Sequence, residues 1–204
     1  MEVTAQRLSP ICVRMVVLPS SKRKRAVGKN HGLPCEKNRI KAGRTASPSY
    51  SLIDSQSAKT TSASEGVGID GGKMVKGRKR HIVTDTMGSL LKVKVHAANI
   101  HDTTAGGDVF KGALAKYPTI KGCCADEGYR KTFENIVLSL GKTIKITEKI
   151  KPKGWTVLPQ RWVVERTFAW MNNSRRLSKD FEIAISSEEN MVMISHIATL
   201  LKRF

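Results

Sequence analysis

The sequence predicts an α/β fold, a mixed β-sheet in the order βββαβαβα flanked by helices, and three observations predict it. From Ser49 onward, short apolar and β-branched runs alternate with turn signals and with longer stretches of helical period. The first three strand-like runs follow one another with no helix between them, the pattern of antiparallel neighbours. Beyond them, helices and strands alternate, the pattern of crossover units in a layered sheet.

Residues 1–48 carry 11 Lys and Arg against Glu2 and Glu36, are interrupted by Pro10, Pro19, Pro34 and Pro48, and show no sustained apolar period. They read as a disordered or weakly structured basic segment, either an arm for DNA or a leader without function, and the folded domain is expected over 49–204. Within it, 49–54 reads as a first strand, 80–86 as a second and 90–98 as a third, with Gly88 turning the last two. Asp102 is a plausible N-cap for a helix over 102–116 that puts Val109, Phe110, Ala113 and Leu114 on one face. A strand over 119–126, a helix over 129–141 stopped by Gly141 and a strand over 142–147 come next. After a Lys- and Pro-containing loop, a long helix starts near Pro159, and a final helix over 188–203 buries Ile194, Ile197, Ala198 and Leu201. Three antiparallel strands followed by alternating helices and strands make the ribonuclease H-like topology.

The charge balance points to a polyanionic partner. With 36 Lys and Arg against 17 Asp and Glu the chain carries +19. The excess is spread along the whole length, which favours nucleic acid over a membrane surface. No run approaches the roughly 18 apolar residues needed to span a bilayer, so a cytoplasmic protein is expected. Cys12, Cys35, Cys123 and Cys124 lack metal-ligand spacing and read as reduced thiols.

Phosphodiester cleavage by two metal ions needs carboxylates from separate segments converging on ions roughly 3.5–4 Å apart. Asp54 ends the apolar run SLID and Asp126 ends CCAD; both would stand at the sheet's carboxyl edge. Glu165 lies in an apolar helical segment, where its charge needs solvent or a partner. Each has a bland reading: a turn aspartate for the first two, a pair with Arg161 for Glu165. By spacing alone Asp70, Asp85, Asp102 or Glu127 could replace one of them. Asp70 sits in GIDGG, which suggests a mobile loop, Asp85 sits at a hairpin turn, and Glu127 would face away from Asp126.

At these residues the chain resembles the DDE transposases of bacterial insertion sequences, in the group with a Tyr–Arg–Glu–Lys signature around the last acid. The matching stretches are SPSYSLIDSQSAKT, GIDGGKMVKGRKRHIVTDTMG, ADEGYR and LPQRWVVERTFAWMNNSRRLSKDFE, so the resemblance runs from about Lys41 to the C-terminus. It implies a ribonuclease H-like fold and an acid triad, here Asp54, Asp126 and Glu165, holding Mg²⁺ or Mn²⁺, with Arg161 as the signature arginine. Leu158 and Asn172 stand where spacing would put the signature Tyr and Lys, leaving Arg175, Arg176 or Lys179 to supply the missing charge. Nothing in residues 1–40 looks like the upstream helical module by which such proteins recognise an element's inverted repeats. The chain then reads as one frame of a two-frame element or a truncated copy.

GGKMVKGRKRH brings Lys73, Lys76, Arg78, Lys79, Arg80 and His81 together beside glycines, and NNSRRLSK adds Arg175, Arg176 and Lys179. Phosphate contact is the functional reading of both, a solvated charge run the ordinary one. Trp155, Trp162 and Trp170 could stack on bases but more commonly pack, and His96 and His101 are left without a role. The expected activity is metal-dependent cleavage and strand transfer on the element's inverted-repeat ends and target DNA, by an enzyme of a type that works as a homo-oligomer on paired ends. The other readings are a nuclease that cuts without joining and a truncated, non-catalytic DNA-binding remnant.

Overall fold

The computed structural model describes residues 32–147 and 161–202. The basic segment 1–31, the Lys- and Pro-containing loop with Trp155 and Leu158, and the expected helix start at Pro159 lie outside the described residues.

Six strands form one sheet: β1 Tyr50–Lys59, β2 Gly68–Asp70, β3 Val75–Asp85, β4 Leu90–Ala97, β5 Gly122–Asp126 and β6 Thr143–Thr147. Helix α1 covers 32–41, followed by α2 Asp102–Lys116, α3 Thr132–Ser139, α4 Arg161–Asn172 and α5 Ile185–Leu201. β3 pairs antiparallel with β1 and with β4, while β5 pairs parallel with β1 and with β6. Setting aside the short β2, which also pairs with β3, the order across the sheet is β4-β3-β1-β5-β6. Three antiparallel strands continued by two parallel ones on the first strand's other side is the ribonuclease H-like arrangement expected from the sequence.

Both faces of the sheet are covered, which explains why its central strands read as continuous apolar runs. Ile53, Val83, Cys123 and Ala125 point to one side and pack with Val109 and Phe110 of α2 and Phe133 of α3. Their neighbours Leu52, Ile82 and Cys124 point to the other, against Val163, Val164, Phe168 and Met171 of α4 and Val192 of α5. Gly106 lets α2 lie close to the aromatic rings there, because a Cβ would come within 3.1 Å of both Tyr129 and Phe133.

Four expectations need correction. The segment read as disordered or weakly structured up to residue 48 contains α1, held by the buried Arg39, whose guanidinium pairs with Asp85 at 2.7 Å, and by Cys35, whose thiol lies 3.7 Å from the Leu90 carbonyl. GID is a strand and Asp70 is buried, not part of a mobile loop. The cap of α2 is His101, whose ring accepts from the Thr103 N–H, which frees Asp102 for other partners. In α5 the buried side is Glu188, Val192, Ser195, His196 and Leu200, whereas Ile194 and Leu201 are exposed. The reason is polar: Glu188 pairs with Arg80 at 2.5 Å inside the fold, and His196 Nε2 accepts the Leu90 N–H at 3.1 Å. Those two contacts fix the rotation of the helix against its apolar period.

Candidate active site

β1 does not end at Asp54 but runs on to Lys59, so the first acid stands in mid-strand. Its position relative to β5 is fixed by register. Tyr50 pairs with Gly122, Ser51 with Cys123 and Leu52 with Cys124, an offset of 72 that also relates Asp54 to Asp126. Neighbouring strands lie about 4.8 Å apart and residues two apart share a face. Asp54 follows Leu52 and Asp126 follows Cys124, so both carboxylates stand on the face covered by α4, just beyond the last paired residues. Both are half-buried.

Local contacts orient them. Asp54 Oδ1 accepts the Ser55 N–H at 2.7 Å. Asp126 caps a 3-10 turn, Glu127–Tyr129, by accepting the Gly128 N–H at 3.0 Å. Tyr129 closes that turn and is buried on the other side of the sheet, with its hydroxyl 2.7 Å from His81 Nε2. Burial, and then the negative charges of Asp54, Asp102 and Asp126, hold the Tyr129 phenol well above its usual range. It is therefore the donor to His81.

The chain of rings beyond it has one consistent polarity. His96 Nδ1 lies 3.0 Å from the Ala97 carbonyl and must carry a proton, leaving its Nε2 to accept from His81 Nδ1 at 3.4 Å. His81 Nε2 then accepts from Tyr129. Burial pushes His81 down to about 3, so the ring is neutral at ordinary pH.

Glu165 lies on α4, whose apolar side packs over β1 and β5. Three contacts fix this helix: Arg166 donates to the Met87 carbonyl at 2.9 Å, Thr167 to the Gly88 carbonyl at 3.0 Å, and Gln56 of β1 to Asn172 at 3.4 Å. Gly88 has φ +83 and lies so near that a Cβ would come 2.8 Å from Thr167 Oγ1. Glu165 itself is on the exposed side. Among the described residues, no three acidic, His or Cys side chains stand close enough to hold a metal ion. The aspartate pair offers the hard oxygen donors a divalent cation prefers, and Glu165 is exposed on the helix that covers the same face.

The rival carboxylates have other work. Asp102 pairs with Lys79 at 3.1 Å and accepts from Ser55 at 2.8 Å; burial raises its pKa, but those two contacts outweigh it and hold the carboxyl below its usual range. Asp70 accepts from Ser57 at 2.5 Å and from the Gly72 and Lys73 N–H groups. Asp85 holds the hairpin by accepting from Met87 and Ser89. Glu127 pairs with Arg130 at the surface.

The basic run needs the largest correction. Lys73 and Lys76 are exposed, but Arg78, Lys79 and Arg80 lie in β3 under cover on both faces and cannot reach a DNA backbone. Arg78 pairs with Asp180 at 2.7 Å and donates to the Glu182 carbonyl; Arg80 pairs with Glu188 and donates to the Leu177 carbonyl at 2.7 Å. Lys79 faces the opposite way, toward Asp102. Arg175 and Arg176 are exposed, with Arg176 also 2.6 Å from Glu182, and Lys179 is half-buried. The side chain of Arg161 lies outside the described residues. Trp162 and Trp170 flank the Arg166 guanidinium at 4.3 and 4.7 Å, a packing arrangement that leaves one side of Trp162 open. Sequence reasoning missed Tyr129, Gln56 and the partner acids Asp180 and Glu188; only the position of Tyr129 in ADEGYR pointed to any of them.

Residues 45–201 match the family described as "Transposase DDE domain". A putative transposase for insertion sequence element IS402 from Burkholderia cepacia is 31% identical over 118 residues, which cover 52% of this chain and 54% of that protein. The chain thus spans about half the length of the curated relative it matches. Among solved structures, the catalytic core domain of BIV integrase is 14% identical with a TM-score of 0.46, covering 72% of this chain and 82% of that one. The HTLV-2 integrase catalytic core domain in complex with magnesium is 13% identical with a TM-score of 0.43, covering 73% and 83%.

Proposed function

This chain belongs to the transposase DDE domain family, and from that premise we propose that it is the catalytic part of a DNA transposase that cleaves and joins DNA strands at the ends of an insertion sequence. The observation that carries the proposal is the shared register of Asp54 and Asp126 on adjacent parallel strands. Two carboxylates on one face, just past the paired ends of adjacent strands, suit phosphodiester cleavage by divalent ions, which needs carboxylates from separate segments. Mg²⁺ or Mn²⁺ bound there would polarise the phosphate and activate the attacking oxygen.

The chain's own residues do the rest. Asp54 and Asp126 bind, and Tyr129, tied to His81, keeps the turn after Asp126 from swinging away. Glu165 is the third acid, carried by the helix that covers the same face of the sheet. Lys73 and Lys76, with Arg175 and Arg176, are the exposed cations for DNA phosphates. Inverted-repeat ends and target DNA are the proposed substrates, and action as a homo-oligomer on paired ends is the proposed assembly. The proposed folded unit includes α1, since Arg39 and Cys35 tie it to the β3–β4 hairpin. No described helix is long and apolar enough to cross a membrane, which suits an enzyme that meets DNA in the cytoplasm.

An oligonucleotide assay with labelled element ends and a target duplex tests the proposal. Metal-dependent nicking followed by a joined product is expected. Nicking without joining would make the protein a nuclease, and binding with neither would make it a non-catalytic remnant.

A further inference from the structure

A lone exposed methionine needs no explanation. Met74 differs in three respects. It is 82% exposed, the most open of the large apolar side chains among the described residues. It has φ 53, a left-handed conformation that costs an L-residue strain, although Gly71 and Gly72 in the same four-residue loop could take it more easily. The loop is also held firmly: Asp70, buried beneath it, accepts the Gly72 N–H at 3.0 Å and the Lys73 N–H at 3.2 Å. An apolar side chain is thus presented on a rigid tip.

Its neighbours define what the tip would meet. Lys73 and Lys76 flank it, both exposed, and Ile69, cross-strand partner of Lys76, adds a second exposed apolar group at 58%. Lys73 reaches back so that its ammonium lies 3.5 Å from the Ser55 carbonyl, one residue past Asp54. A polyanion held by these lysines passes the proposed catalytic pair. An apolar tip between cations suits duplex DNA, where such side chains wedge between base steps while Lys or Arg hold the adjacent phosphates.

We propose that the β2–β3 hairpin is a DNA-deforming wedge: Met74 inserts at a base step and unstacks it, with Lys73 and Lys76 gripping the flanking backbone next to Asp54. The wedge would select deformable pyrimidine–purine steps rather than read base edges. Its placement beside the cut site rests on the catalytic reading, but the unstacking does not.

The test uses the whole chain without divalent metal and short duplexes carrying 2-aminopurine at successive TA steps. Parent protein is expected to raise the fluorescence at one step several-fold at saturation. Met74→Ala should abolish the rise, and Met74→Leu, still an apolar wedge, should restore it. Lys73→Ala and Lys76→Ala should keep the rise at saturation and each lower the salt slope of binding by about 0.9. No rise with the parent, a full rise with Met74→Ala, or no rise with Met74→Leu overturns the wedge. Metal-dependent cleavage is scored separately: if Asp126→Asn still cleaves while the fluorescence rise is seen, the catalytic reading falls and the wedge stands, whereas loss of cleavage in Asp126→Asn with no fluorescence rise in the parent removes only the wedge.

Discussion

Asp54 and Asp126 each stand two residues beyond Leu52 and Cys124, the last pair that joins two adjacent parallel strands. Their side chains share a sheet face although 72 residues separate them. Every assignment at the site depends on this adjacency and on what holds each strand end in place.

Tyr129 is the strongest of those supports. Tyr129→Phe removes the hydroxyl and leaves the buried Nε2 of His81 without its donor. A loss of about 1–3 kcal/mol in folding stability is expected from an orphaned buried acceptor, measured by chemical denaturation. A weaker apparent metal affinity in the same variant is expected because the turn after Asp126 loosens. Unchanged stability and unchanged metal dependence would remove Tyr129 from the account.

The cations divide into two kinds, and mutagenesis should separate them. Arg80→Ala leaves the buried Glu188 carboxylate uncompensated and is expected to cost about 3–5 kcal/mol while leaving the salt slope of DNA binding alone. Arg175→Ala, at an exposed position, should do the reverse. Equilibrium denaturation paired with binding titrations at several salt concentrations checks both. A stable Arg80→Ala protein with a reduced salt slope would show that Arg80 does reach DNA.

His81 predicts a pH dependence whose sign follows from burial. Its folded-state pKa is pushed down from 6.5 to about 3, so in acid the unfolded chain takes up a proton that the folded chain refuses. The contribution of this ring is present in full above pH 6.5 and is lost as pH falls through that window toward 3. Comparing stability against pH for the parent and His81→Gln isolates it: the variant's curve should be flatter over that range. Parallel curves would mean that the folded protein binds the His81 proton as readily as the unfolded chain does, so that burial does not depress its pKa.

Much of this was legible in the sequence. The antiparallel pairing of the long early strands followed from three strand-like runs without an intervening helix, and α2 fell at the expected residues because its apolar period is undisturbed. Asp126 could be found because an apolar strand ends on it. What could not be read was polar burial. Arg78, Lys79 and Arg80 look like a solvated run, and only the arrival of Asp180, Glu188 and Asp102 from distant segments shows that they are internal ion pairs. The Arg80–Glu188 pair, with His196 on the Leu90 N–H, turns α5 away from its apolar stripe, and the role of Asp70 depends on Ser57, a residue with no pattern to announce it.

The adjacency is tested most directly by metal binding itself. Mn²⁺ titration followed by electron paramagnetic resonance, on the parent and on Asp54→Asn, Asp126→Asn and Glu165→Gln, reads how each acid contributes without requiring DNA or turnover. The two aspartate variants are expected to lose at least about tenfold in affinity with folding intact, as loss of a ligand's support in metal sites does, and Glu165→Gln to lose less, since its carboxylate is exposed while theirs are half-buried. Parent-like Mn²⁺ binding in both aspartate variants would contradict the account.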